Sequence, residues 1–452
     1  MQRATRLVPE GRVVIVGLGR TGLSCARFLR ARGHAVEVVD TRDDPPALGT
    51  LRAELPDVPV HLGRLDAQVL DGAAQIVLSP GVPLVHPAVA AARARGVPVH
   101  GDIELFARLV RGPVAAVTGS NGKSTVTTLL GEMARCAGRH PAVGGNLMPP
   151  ALDLLDDPAA DLYVLELSSF QLETTESLAP VVAAVLNLSP DHLDRYPDVD
   201  AYARAKARIF RHAARAVINL DDAVVRAMVP AGVPGIGFTL SVPGPGEFGV
   251  ARRHGEDWLA HGATLLIPTR EIGMAGRHNV ANALAALAMG DALGLGIGGM
   301  LAALRDFRGL PHRCEPVATR DGVEWFNDSK GTNVGATLAA IEGLGAGAPL
   351  VLIAGGLGKG ADFSPLAPAV RAHVRAAILL GRDAARIAAA IGDATAVEMA
   401  TDLDDAVRRA RAVAHAGDRV LFSPACASFD MFASYEARGD AFRATVREVL
   451  GR

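Results

Sequence analysis

The sequence has too few cysteines, too widely scattered, to build a disulfide framework or a zinc site. Its four, Cys25, Cys136, Cys314 and Cys426, form no CxxC pair. No run approaches the ~18 uninterrupted apolar residues of a membrane-spanning helix. The opening stretch, MQRATRLVPEGRVVIVGLG, passes from polar residues straight into a short strand-like run, where a signal peptide would carry a longer apolar core. Charge of one sign is lacking as well, with 46 basic residues against 48 acidic ones. That balance gives no footprint for nucleic acid and no polybasic membrane patch. Aromatics are only 4%, which points away from an aromatic-rich binding face. A soluble, cytoplasmic chain with no nucleic-acid or membrane partner is the expectation.

What the sequence does have is length and apolar content: 452 residues, 49% of them hydrophobic, enough for two to four cores. Strand-like runs at Arg12 to Val16, Ala35 to Val39 and Gln75 to Leu78 alternate with helical stretches, and this first segment ends near Asp102. A second segment has strands at Val114 to Val117, Leu162 to Leu165 and Val181 to Leu188. It also has a Gly/Pro-rich region between about Leu240 and Pro268 that reads as a small side sheet, and an apolar helix from Asn279 to Leu293. From about Leu310, strands at Val323 to Phe326, Leu350 to Ile353, Ala376 to Leu380 and Arg419 to Phe422 again alternate with helices. Such alternation predicts parallel α/β layers, divided as residues 1–102, 103–309 and 310–452.

The strongest local signal is Thr118-Gly119-Ser120-Asn121-Gly122-Lys123-Ser124-Thr125, between a strand and a helix. Glycines let the backbone aim its N–H groups inward, and a helix N-terminus favours negative charge, so the segment reads as a phosphate loop. Lys123 would reach terminal phosphates and Ser124 would offer its hydroxyl to Mg²⁺. Val117 stands where the strict pattern has glycine, which leaves an ordinary glycine turn as the competing reading. Glu166 closes the run DLYVLE, and His192 follows VVAAVLNL, so both are expected at the carboxyl edge of the sheet beside the loop. A carboxylate and an imidazole there suit Mg²⁺ held partly by phosphate oxygens.

Gly17-Leu18-Gly19-Arg20-Thr21-Gly22, with Asp40 ending the next strand, formally matches a dinucleotide fingerprint. The same geometry binds the diphosphate of a nucleotide sugar, and the motif alone does not choose. Against an oxidoreductase stands the second phosphate loop, for which hydride transfer has no use.

The blocks VTGSNGKSTVTTLL, VGGNLMPP, VLELSSFQLET, LNLSPDHLDRY, RHNVANALAAL, GLPHRCE, NDSKGTNVGAT, GGLGKGADFSPL and SPACASFDMF resemble the signature blocks of the Mur ligase family, in order and over nearly the whole chain. GLGRTGLSC, NDSK and SPACAS resemble its D-glutamate-adding branch. The resemblance implies three α/β domains: a Rossmann-like one, a central ATPase-like one with the side sheet, and a second Rossmann-like one. It implies ATP and two Mg²⁺ ions, with UDP-N-acetylmuramoyl-L-alanine and D-glutamate as substrates. Arg20, Thr21, Asp40, Thr41, Arg42 and Gly81 would hold the uridine diphosphate part, and Asn146 and His192 would face the muramoyl-alanine end. Gly119, Asn121, Gly122, Lys123, Ser124, Thr125 and Glu166 would serve ATP and metal. Asn279, Asn282, Arg313 and Asp328 would complete the ATP site. Lys330, Thr332, Lys359, Ser428, Phe429 and Tyr435 would surround D-glutamate, Tyr435 standing where the family is expected to carry Phe.

Lys206 lies in the helical stretch Val199 to His212, where a lysine ordinarily faces water. The resemblance at AKARIF implies instead a carbamylated lysine, an anionic ligand for the second Mg²⁺. The implied reaction activates the alanyl carboxylate as an acyl phosphate, which the D-glutamate amine then attacks. Substrate parts on three domains predict domain closure. A monomer is expected.

Overall fold

The computed structural model describes residues 8–451; the polar start, Met1 to Leu7, and the outermost limits of the first and last segments lie outside them. Three sheets follow one another along the chain. The first comprises β1 (Arg12–Val16), β2 (Ala35–Val39), β3 (Val60–His61), β4 (Gln75–Leu78) and β5 (Val99–His100), all parallel, in the order β3-β2-β1-β4-β5. Val13 to Val16 are fully buried, as a central strand covered by helices on both faces requires.

The second sheet contains β6 (Val114–Thr118), β7 (Pro141–Gly145), β8 (Leu162–Glu166), β9 (Val182–Val185), β10 (Ala216–Asn219) and β11 (Gly235–Phe238). β6 lies between β8 and β9, parallel to both. Its C-terminal end therefore opens beside the ends of the two strands that lead to Glu166 and His192. β9 is shorter than the run Val181 to Leu188 suggests. Leu186 still bonds to the Thr118 carbonyl, but from Asn187 onward the polar groups turn to the phosphate loop.

The side sheet is β12 (Phe248–Arg253), β13 (Glu256–His261) and β14 (Thr264–Pro268), antiparallel throughout. It extends the central sheet through the single pair Phe238–Phe248. Its first hairpin turns on His254 and Gly255, both at positive φ (51° and 80°), the signature of a tight two-residue turn that matches strand twist.

The third sheet holds β15 (Glu315–Arg320), β16 (Val323–Asn327), β17 (Leu350–Gly355), β18 (Val374–Leu380), β19 (Ala396–Met399) and β20 (Arg419–Phe422), in the order β15-β16-β20-β17-β18-β19. Only β15 runs antiparallel to its neighbour.

The cores divide unequally. One continuous cluster joins the first sheet to the central one, running from Val13 and Phe28 through Phe106 to Tyr163 and Phe210. The third sheet keeps two clusters of its own, around Leu352 and around Trp325. No helix among the described residues is long and apolar enough to cross a membrane.

Candidate active site

β6 runs on through Val117, which pairs with Glu166 and Ala184, so the loop opens at Gly119 and its departure from the strict motif is a strand residue. Gly122 has φ +81°, and a Cβ there would collide with Asn282 Oδ1, which puts Asn282 against the loop. The helix Lys123–Cys136 starts at once. Lys123 Nζ donates to the carbonyls of Gly119 and Ser120, both at 3.0 Å. Ser124 and Thr125 are buried in the first turn.

Glu166 is 2% exposed. Its Oε1 accepts from Asn146 Nδ2 at 2.5 Å, and its Oε2 has no hydrogen-bond partner among the described residues. Burial raises its pKa, but Lys123, then the nearby Ser124 hydroxyl and the Asn146 amide, outweigh that and hold the carboxyl below its ordinary range. His192, at φ +56°, sets its ring edge-on to Phe170 at 4.8 Å. Burial lowers its pKa and Lys123 and Lys206 lower it further against Asp191, leaving a neutral imidazole at pH 7.

Lys206 is not a solvated lysine. It is 1% exposed on the helix Val199–Ala207, and its Nζ donates to Gly119 O at 2.8 Å and Thr118 Oγ1 at 3.4 Å. Burial, then Lys123, pushes its pKa well below the ordinary value.

The third sheet closes the site from the other side. Arg313 Nη2 donates to Ser124 Oγ at 2.7 Å. Lys330 Nζ sits 3.6 Å over the Tyr435 ring, and burial, then Arg313, lowers its pKa to about 8. Asp328 accepts from Ser423 Oγ at 2.7 Å, and burial raises its pKa to about 6. Lys359 is exposed, with Nζ 5.9 Å from the ring of Phe429. Ser428 is buried and Asn279 bonds to the Ala275 carbonyl.

A single cavity of about 670 Å³ is lined by Asn121, Gly122, Lys123, Asn146, Glu166, His192, Lys206, Arg313, Lys330, Thr332 and Lys359. Ser124, Thr125, Asn279, Asn282, Asp328, Ser428, Phe429 and Tyr435 are not among its lining residues. Ser124, Asn282 and Tyr435 reach it through the contacts just described.

The N-terminal set lies elsewhere. Arg20, Thr41, Arg42 and Gly81 are exposed and Thr21 is half-buried; Arg20 and Thr21 open the helix Arg20–Ala31, and the others stand on loops after strands of the first sheet. Asp40 is buried, with both oxygens engaged: Oδ2 accepts from Leu18 N at 2.6 Å, and Arg42 donates to both. A dinucleotide site needs that carboxylate for a ribose hydroxyl; here it locks the glycine turn and Arg42. Arg195 links this region to the cavity. It donates to Pro80 O at 2.9 Å and pairs with Glu173 at 2.9 Å, and its guanidinium lies 4.2 Å over the Phe170 ring.

Sequence reasoning missed Arg195, and also Asn187 and Asn333. Asn187 bonds twice to Asn121, at 2.8 and 3.1 Å, and Asn333 reaches Asp191 and Asn121. All three stand inside the quoted blocks LNLSPDHLDRY and NDSKGTNVGAT, but a motif does not say which of its polar residues turn inward.

Comparison with known proteins places this geometry. Residues 11–101 match the N-terminal domain model of MurD-like Mur ligases, 117–290 the Mur ligase middle domain, and 312–426 the Mur ligase glutamate ligase domain. The chain is 56% identical over 437 residues to a UDP-N-acetylmuramoylalanine–D-glutamate ligase of Nitrosococcus oceani, covering 97% of this chain and 96% of that one. It is 52% identical to the protein of that name from Marinobacter nauticus, over 97% and 99%. Among solved structures, MurF ligase of Thermotoga maritima in complex with ADP shares the fold at TM-score 0.61 and 18% identity, over 100% and 97% of the chains. Three matched domains in order, near-full-length relatives and a shared three-part fold lead to one conclusion: this chain belongs to the Mur ligase family.

Proposed function

We infer that this protein is an ATP-dependent carboxylate–amine ligase joining D-glutamate to the L-alanyl carboxylate of UDP-N-acetylmuramoyl-L-alanine, in peptidoglycan precursor synthesis. The observation that carries this reading is the one cavity where Lys123, Glu166 and Lys206 of the central sheet meet Arg313, Lys330 and Lys359 of the third. Relatives of that name at 52–56% identity support the choice of substrates.

We assign residues 1–102 to the uridine diphosphate part, through Arg20, Thr21, Thr41, Gly81 and the Arg42 that Asp40 holds. Residues 103–309 take ATP and residues 310–452 the amino acid. Asn146 and His192 face the alanyl end. Thr125, Asn279, Asn282 and Asp328 complete the ATP site.

A carboxylate is a poor electrophile, so the γ-phosphoryl group moves onto the alanyl oxygen, giving an acyl phosphate and ADP. The D-glutamate amine then attacks the acyl carbon. The C–N bond forms, the C–O bond to phosphate breaks, and the amine proton is released. Lys123 and Arg313 neutralise the anionic oxygens as they converge, and such terms typically contribute several kcal/mol each in a dry site. Lys330 and Lys359 meet the two carboxylates of D-glutamate. Tyr435 holds Lys330 in place, and Thr332, Ser428 and Phe429 border the same end.

The residues fit Mg²⁺. Glu166 Oε2 is buried without a hydrogen-bond partner among the described residues, beside Ser124 and a neutral His192. No group of three His, Cys, Asp or Glu converges among the described residues, so phosphate oxygens complete the shells, as Mg²⁺ commonly requires. Ser124, Glu166, His192 and a Lys206 carbamate would hold two ions, which supply charge neutralisation along the phosphates. Burial disfavours the Lys206 ammonium, so the amine can give up a proton and attack carbon dioxide; an N–C bond forms as one C–O π bond opens, a second proton leaves, and the cation becomes an anionic carbamate.

A reaction that consumes ATP supports a cytoplasmic location, in keeping with the four free cysteines. One chain supplies every part of the cavity, which supports a monomer.

The test is phosphate release with ATP, Mg²⁺ and UDP-N-acetylmuramoyl-L-alanine, comparing D-glutamate, L-glutamate and L-lysine, with product masses. Release only with D-glutamate, and a product one glutamyl residue heavier, is expected. Another preferred amino acid would discard the branch, and hydrolysis without amide would discard the ligase.

A further inference from the structure

The third sheet has its own apolar cores, and besides the packing of its helix Val334–Gly345 on the helix Arg277–Ala292 it meets the phosphate loop through a polar seam. Asn333 stands at its centre. As N-cap of the helix Val334–Gly345, its Oδ1 accepts from Ala336 N at 2.8 Å. That bond fixes which end of the amide is oxygen, and turns Nδ2 outward as a donor. Nδ2 crosses to the central domain, donating to Asp191 Oδ2 at 3.1 Å and to Asn121 Oδ1 at 3.4 Å.

Both acceptors belong to working loops. Asn121 is inside the phosphate loop, and Asp191 precedes His192, whose backbone N–H its other oxygen receives at 2.9 Å. The approach is close enough to restrict the next residues. A Cβ on Gly335 would stand 2.7 Å from Ser189 Oγ, so only glycine lets the helix end come this near.

We propose that Asn333 is a positioning residue that latches the amino-acid-binding sheet onto the phosphate loop and the His192 loop, through one amide that caps its own helix while bonding Asp191 and Asn121. It borders the cavity, but its polar atoms are engaged by the helix start, Asp191 and Asn121. It sets the distance between the half-site that activates the carboxylate and the half-site that brings the amine. This inference rests on the proposed ligase reaction for its kinetic readout, though not for its structural one.

Two variants separate the latch from the cap. Asn333→Ser and Asn333→Asp both keep a good N-cap, so the melting temperature stays at the wild-type value. Serine is too short to span to Asp191, and kcat is expected to fall about tenfold. Aspartate sets two carboxylates face to face, and kcat falls further. The KM for the UDP-linked substrate changes less than kcat in both, because the uridine diphosphate part is held on the first sheet and only the alanyl end meets the His192 loop. With ATP and Mg²⁺ present, small-angle scattering of both variants gives a larger radius of gyration than the wild type.

Wild-type kcat and scattering in the two variants would overturn the proposal. So would losses that merely track a lowered melting temperature, which would leave Asn333 a cap alone. If the wild type itself makes no amide product, the ligase reading fails, and the scattering comparison still decides the latch.

Discussion

Arg313 of the third sheet's approach loop and Ser124 of the phosphate-loop helix are hydrogen-bonded at 2.7 Å across 189 positions of sequence. A guanidinium thus reaches the hydroxyl beside which phosphates would lie. Arg313→Lys keeps the charge and loses the planar fork. We expect kcat/KM for ATP to fall about 10- to 100-fold, the range for a hydrogen bond to a charged group. The KM for the UDP-linked substrate should not move. Steady-state kinetics with each substrate varied in turn would show it, and an unchanged value for ATP would remove Arg313 from the nucleotide site.

Lys206→Ala removes the buried amine beside Gly119. If the carbamate is an ion ligand, turnover of the still-folded protein falls by ~10²-fold or more, well beyond what any fall in melting temperature from the lost packing of a buried side chain would account for. Wild-type protein in ¹³C-bicarbonate should give a carbamate carbon resonance that the variant lacks. Full activity in the variant would end the idea.

Lys330 supplies a pH dependence whose sign can be worked out. Its pKa is lowered to about 8, so the ammonium is present below that pH and the neutral amine above it. Glutarate has the two carboxylates of D-glutamate and no amine to titrate. Its inhibition constant should be flat at low pH and rise about tenfold per unit above pH 8. In Lys330→Arg the rise should vanish. A flat profile in the wild type would take Lys330 out of carboxylate binding.

Arg195 ties the Pro80 carbonyl and Glu173 together over Phe170. Arg195→Ala leaves the Glu173 carboxylate without its ion pair and frees the Gly81 loop. The KM for the UDP-linked substrate should rise about tenfold while that for D-glutamate stays put. Equal changes in both would mean general destabilisation.

The sequence exposed the strands whose apolar runs end sharply. Arg12–Val16, Ala35–Val39, Gln75–Leu78 and Arg419–Phe422 fall where their runs stop at glycine, aspartate or serine. Val60–His61 and Val99–His100 are too short to show a period, and Pro141–Gly145 opens on proline and closes on two glycines. That composition fits an edge strand, which is where it lies. The phosphate loop, Glu166 and His192 were legible because neighbouring parallel strands deliver them to one edge. Asn333, Asn187 and Arg195 were not, because each acts through a partner far along the chain. Burial gave Lys206 its character, and neither its helix nor its neighbours in sequence reveal that a lysine there is enclosed.

The antiparallel extension β12–β14 meets the rest of the central sheet at one residue pair, and its first turn, His254–Gly255, belongs to no lining of the cavity. Cargo grafted at that tip, such as a fluorophore or an affinity peptide, rides outboard of the chemistry. The hairpin is the molecule's natural mounting point for instruments that must watch catalysis without touching it.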